Sequence, residues 1–291
     1  MIFLIGSIIL TSYLVLSFKL VDRLKLNILQ VIVFNYITCV ITGSIFNGKF
    51  PLGNSVINSP WIIWALVMGA FFILLFNVVG LTTKYMGVAV ASVAYKLSLI
   101  IPFLFSVFFY SEPVTGLKIT GIVLALVAVF LTCWKPSSGE NQPKKSLATA
   151  LLPLILFVGS GLLDTMIKYV EATFLNESNK NDYLVTAFSV AALIGIVWVG
   201  VQFATGKQRF SWKALALGIS IGIPNYFSIW FLVRALKEYS ESSSVVIPVN
   251  NMGIVLFSTV IAWIVFKEKL SAMNWSGVFL SLVAIALIAY G

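Results

Sequence analysis

Apolar residues fill this chain in long runs, and polar positions fall largely in the short gaps between them. Such runs read as membrane-crossing helices, because about 20 residues rising 1.5 Å each cover a hydrocarbon core ~30 Å thick. The pattern predicts ten spans, at residues 1–18, 28–46, 61–81, 87–112, 117–134, 147–170, 183–204, 212–236, 242–266 and 273–290. The first has neither a basic leading segment nor an A-x-A-like site, so it reads as a span rather than a cleaved signal peptide. Turn formers mark the gaps: Gly48, Pro51, Gly53, Asn54 and Pro60 precede the third span, and Ser111-Glu112-Pro113 ends the fourth. Thr115 then stands where the fifth needs an N-cap. The polar run from Lys135 to Lys145 reads as a linker, dividing the chain into 1–135 and 147–291 with 136–146 between them.

Polar residues inside the runs are the candidate chemistry. Lys96 lies near the middle of the fourth span, too deep to snorkel to a headgroup, so its ammonium belongs in a bundle interior or a wet cavity. Ser92 shares its stripe and Tyr95 adjoins it. A cation there suits a carboxylate or phosphate; the alternative is a lysine paired with a carboxylate that only fixes packing. The ninth span carries Asn250 and Asn251 at a similar depth after Pro248, and their amides either orient a substrate or glue helices together. The eighth is expected to be interrupted at Gly222, Pro224 and Asn225, ahead of Tyr226 and Trp230. Asn77 is a further polar candidate in the third. Asp164, inside the sixth, is the candidate coupling carboxylate for proton-linked transport, or simply the partner of Lys168 one turn on. Glu112 and Glu268 stand before new helices, where a carboxylate favours the positive end of the dipole, and are assigned to structure.

Composition narrows the class. The chain is 60% hydrophobic and 10% charged, against about 25% charged in soluble domains, and its mean hydropathy of +1.03 is that of a multi-pass membrane protein. The net charge of +9 sits in short loops, which suits anionic headgroups rather than nucleic acid. Cys39 and Cys133 lie far apart in apolar runs and indicate neither a disulfide framework nor a metal site. Histidine is absent and no HExxH, GxSxG or P-loop spacing occurs, so the sequence points away from an enzyme and calls for no cofactor.

A repeat gives the architecture. Shifting the chain by 156 residues lays Glu112 on Glu268, Thr115 on Ser271, Gly121 on Gly277 and Leu124 on Leu280. Five spans per half is an odd number, which inverts the second copy and makes the fourth and ninth spans mates. The expected fold is therefore all-α, ten transmembrane helices in two five-helix inverted-topology repeats. Ser111-Glu112-Pro113-Val114-Thr115 with Gly121, and Lys267-Glu268-Lys269-Leu270-Ser271 with Gly277, resemble the Gly-Glu-x-x-Thr turn of EamA-type ten-helix carriers in the drug/metabolite transporter superfamily. Ser111 and Lys267 replace the turn glycine, and the usual basic amino terminus is missing.

That resemblance implies a secondary carrier in a bacterial inner membrane, exporting a small metabolite such as an amino acid or related compound. Lys96 would then attract an anionic group, the asparagines would orient the substrate, and Asp164 would couple transport to protons. A flippase for a lipid-linked sugar and a non-transporting membrane scaffold are the alternatives. Loops after odd-numbered spans hold twelve basic residues against six elsewhere, the Lys96 helix aside, which places both termini outside the cytoplasm, whereas the family usually has both inside.

Overall fold

The computed structural model describes residues 1–51, 54–102, 104–105, 115–133, 147–176, 178–238 and 243–291. The turn at 111–114 and the linker at 135–146 lie outside the described residues. Ten helices of ten residues or more occur among those described: α1 (Ile2–Arg23), α2 (Ile28–Asn47), α3 (Ile62–Met86), α4 (Val88–Leu97), α5 (Gly116–Cys133), α6 (Leu147–Phe174), α7 (Lys180–Ala204), α8 (Trp212–Glu238), α9 (Ser243–Phe266) and α10 (Ala272–Tyr290). Seven are long and apolar enough to cross a membrane, and shorter apolar helices run over Val88–Pro102, Gly116–Thr132 and Ala272–Ile288. The fold is that of an all-α integral membrane protein.

Two elements differ from the sequence expectation. The run beginning at Gly87 does not make one uninterrupted helix: α4 ends at Leu97, and the chain turns through Ser98 and Leu99 before helix resumes. The Ser98 hydroxyl donates to the Tyr95 carbonyl at 2.6 Å, offering that carbonyl a local partner in place of the helical ladder. Conversely, α8 runs unbroken through Pro224. Although proline removes one N–H, Gly218 and Gly222 lay α8 directly on α2: a methyl at Gly222 would sit 2.6 Å from the Asn35 carbonyl oxygen, and one at Gly218 2.9 Å from that of Val31. Cys39 Sγ also donates to the Gly222 carbonyl at 3.4 Å, so the helix is braced where it would kink.

The chain folds into two compact units, each drawing helices from both sequence halves. The first holds 1–19, 78–161 and 228–291. In it α4 packs on α9, and α5 on α10, around Val93, Leu97, Ile100, Ala125, Val255 and Ile285. The second holds 20–77 and 162–227, with α2 packed on α7. Its interior is aromatic: Tyr36 stacks at 6.0 Å on Phe188, which stacks at 5.3 Å on Phe72, while the Tyr36 hydroxyl donates to the Phe72 carbonyl at 2.8 Å.

The α5–α10 seam in the first unit is reciprocal. A methyl at Gly121 would sit 3.0 Å from the Ala284 oxygen and 2.8 Å from Ile288 Cγ1; one at Gly277 would sit 2.9 Å from the Ala128 oxygen and 2.6 Å from the Thr132 nitrogen. Adding 156 to 121, 128 and 132 gives 277, 284 and 288, so each glycine meets the counterparts of the residues that its own counterpart meets. At the start of α5 the Thr115 hydroxyl accepts from Lys118 N at 3.2 Å, and α10 opens on a capping box between Ser271 and Asn274.

Lys25 and Lys267 have φ of 51° and 52°, left-handed positions just past α1 and α9 where glycine is the usual residue. After α1, Lys25 N donates to the Asp22 carbonyl and Leu26 N to that of Val21, both at 3.0 Å, the paired bonds of a Schellman close.

Candidate functional site

The fourth helix is positioned from both ends. Its N-terminus has no cap from Gly87, whose φ of 98° and ψ of 166° belong to glycine's part of conformational space. Glu268, from the connection between α9 and α10, supplies the missing acceptors: Val88 N donates to its Oε1 at 2.9 Å and Oε2 at 3.1 Å. A Cβ on Gly87 would land on Glu268 Oε1, so glycine and carboxylate require each other. Glu268 therefore does serve a helix N-terminus, but that of α4 rather than that of the helix it precedes.

Lys96 occupies the last turn of α4, where the final carbonyls lack intrahelical donors and the negative end of the helix dipole favours a cation. Ten residues at 1.5 Å each make α4 about 15 Å long, roughly half the thickness of a hydrocarbon core. The Lys96 ammonium lies 4.2 Å from the centroid of the Tyr95 ring, and both residues are half-buried. The Lys96 main-chain carbonyl accepts from Asn251 Nδ2 at 3.5 Å, a long contact joining α9 to the break in α4. One helical turn nearer the α4 N-terminus, Ser92 and Ser258 share a buried 2.8 Å hydrogen bond. Asn250 is buried, and its Oδ1 accepts no hydrogen bond from the described residues. Pro248 lies within α9, which continues through it.

Of the sequence candidates, the structure thus brings Ser92, Tyr95, Lys96 and Asn251 together along one helix pair, with Asn250 next in the chain. Trp230 belongs to the same unit but packs edge-on at 6.0 Å against Phe3, with the Arg234 guanidinium 5.1 Å from its ring. Asn225, Tyr226, Asn77 and Asp164 belong to the second unit. There Asn225 Nδ2 donates to Asn35 Oδ1 at 3.1 Å, tying α8 to α2. The Tyr226 ring fills the space left by Gly43, and its buried hydroxyl makes no hydrogen bond among the described residues. Asn77 Nδ2 returns to its own helix, donating to the Ile73 carbonyl at 2.7 Å, and Asp164 is half-buried.

No family model matches the chain. A protein of Haemophilus influenzae described as an "Uncharacterized protein" is 27% identical over 282 residues, covering 94% of this chain and 92% of that one. A crystal structure of a protein superposes with a TM-score of 0.61 at 14% identity, covering 98% of this chain and 94% of its own. That likeness is one of fold.

Three features went unnoticed in the sequence. Ser258 had no spacing to distinguish it from other helical serines. Asp182, in the gap before the seventh span, is nearly buried: Asn47 Nδ2 donates to its Oδ1 and Lys49 Nζ pairs with its Oδ2, both at 2.9 Å, clamping the end of α2 to the start of α7. The Gly218-x-x-x-Gly222 spacing, a known signature of close helix approach, was legible and marks the α2–α8 contact. An open groove of ≈ 720 Å³, lined by Leu131, Ala272, Trp275, Ser276, Phe279 and Leu280, contains none of the candidate residues. Among the described residues no group of His, Cys, Asp and Glu could hold a metal ion.

Proposed function

We propose that this protein is a secondary carrier of EamA type in the drug/metabolite transporter superfamily, with ten spans in two inverted five-helix repeats. It moves a small polar or amphipathic metabolite, such as an amino acid or related compound, out of the cell across the bacterial inner membrane by alternating access. The observation that carries the reading is the α4 terminus. A lysine stands where α4 stops and the chain passes through a hydrogen-bonded turn midway along an apolar stretch, and an interrupted helix at membrane depth is tolerated where it lines a cavity or is buried in protein. Broken helices whose ends meet polar substrate groups are the recurring site of inverted-repeat carriers. Lys96 attracts the anionic group of the substrate, Tyr95 and Ser92 flank it, and Asn250 and Asn251 orient the rest. Support for the repeat comes from packing: α2 on α7, α4 on α9 and α5 on α10 are the pairs related by five spans, and the reciprocal glycine seam keeps the 156-residue register.

The 4.2 Å perch of the ammonium on Tyr95 favours the rival in which Lys96 merely packs. Purified protein in proteoliposomes, screened against a panel of amino acids and related metabolites, separates the two. The carrier reading expects counterflow of at least one compound, lost in Lys96→Met while the variant unfolds at the wild-type temperature or above, since burying an ammonium is itself costly. Undiminished counterflow in Lys96→Met overturns the assigned role.

A further inference from the structure

At one end of the second unit, two connections are locked together and carry the same charge. Gln30, in the first turn of α2, donates from Nε2 to Gln208 Oε1 at 3.3 Å and to the Arg209 carbonyl at 2.9 Å, and Phe34 meets Phe210 edge-on at 5.8 Å. These contacts bring the connection from α1 to α2, with Arg23 and Lys25, beside that from α7 to α8, with Lys207, Arg209 and Lys213. All five cations are exposed, against one half-buried carboxylate, Asp22. Lys25 holds its position in a left-handed conformation that glycine would adopt more easily. Among them Phe210 and Trp212, 48% and 75% exposed, stack edge-on at 4.9 Å, the kind of amphipathic ring that settles at headgroup depth.

We propose that this end of the second unit is a docking surface for the anionic phospholipid headgroups of the leaflet it meets. Cations from both connections close on lipid phosphates, while Phe210 and Trp212 seat among the acyl-carbonyl groups. Charge complementarity selects the occupant, because a juxtamembrane basic cluster is attracted to an anionic leaflet in proportion to the cations it presents. The aromatic pair selects lipid over a free anion. The inference does not rest on the transport reading.

Thermal unfolding of the full chain in neutral detergent, titrated with short-chain phosphatidylglycerol, tests it. Phosphatidylglycerol is expected to raise the midpoint, whereas phosphatidylcholine of the same chain length and soluble glycerol phosphate are not. Lys207→Gln/Arg209→Gln/Lys213→Gln is expected to need about tenfold more phosphatidylglycerol or higher for the same shift. Lys267→Gln/Lys269→Gln, altered in the connection between α9 and α10, should keep the wild-type response. Trp212→Ala, with every charge retained, should weaken it too. An equal loss in the two charge variants would mean that net charge alone governs the effect, and glycerol phosphate matching the lipid would mean a free-anion site; either overturns the proposal, as does indifference to headgroup.

Discussion

The pairing of Gly87 with Glu268 can be tested by a thermodynamic cycle. Glu268 offers both carboxylate oxygens to Val88 N, at 2.9 and 3.1 Å, on a helix with no other side-chain cap at its start. A hydrogen bond to a charged group contributes roughly 1.5–3 kcal/mol and loss of a cap costs about 0.5–2 kcal/mol. Since Glu268 is partly exposed, Glu268→Ala should destabilise by about 1.5 kcal/mol, and Glu268→Gln, which keeps an acceptor, by roughly half that. Gly87→Ala should cost more, about 3 kcal/mol, because it adds strain at φ 98° to a steric overlap with the carboxylate. In Gly87→Ala/Glu268→Ala the overlap disappears and only the strain and the lost cap remain.

The double variant should therefore be more stable than the sum of the singles predicts, with a coupling of about 1–2 kcal/mol. Equilibrium unfolding in mixed micelles with SDS, followed by tryptophan fluorescence, measures all four corners. Additivity within about 0.5 kcal/mol would refute the reasoning, since it would mean that the two positions do not meet. A ten-residue helix has little of its own to hold it together, so uncapping its first turn should also disturb Lys96 at its last.

Asp164→Asn keeps size and removes the titrating charge; in proteoliposomes with an imposed pH gradient, uphill transport should fall while downhill exchange persists, and an unchanged gradient dependence would return the residue to structure. Lys267→Gly relieves a left-handed lysine at φ 52° and should raise stability by about 0.5–1 kcal/mol in the same unfolding assay. Asp182→Asn breaks the ion pair with Lys49 while leaving an acceptor for Asn47, so it should cost about 1 kcal/mol and the cost should shrink as salt is raised.

The seven long apolar helices were legible because bilayer thickness imposes a crude length rule that apolar runs either meet or miss. Gly121 and Gly277 were also legible, since a glycine held in register with a carboxylate and a hydroxyl cap is improbable in leucine-rich helices. The break after Leu97 was not: it involves the Ser98 hydroxyl turning back on Tyr95 and an amide arriving from α9, and neither leaves a mark in hydropathy. Nor could the sequence assign Glu268 to α4, because its partner stands 180 residues away, beyond the reach of any local pattern. Pro224 misled for a related reason. Proline signals a weak point in one helix, and the glycines that brace it act through a neighbour.

The reciprocal glycine seam also bears on how this protein can move. At Gly121 and Gly277 the backbones of α5 and α10 approach so closely that even a methyl group finds no room, on both sides of the contact at once. Two rods meshed this way have no slack in which to slide or roll. Displacing one by a fraction of an ångström at the first glycine drives it into its mate at the second. The pair should therefore travel as one stiff beam through any working cycle, and flexing must be borne elsewhere, with the turn at Ser98 and Leu99 after α4 one place where a helix is already interrupted.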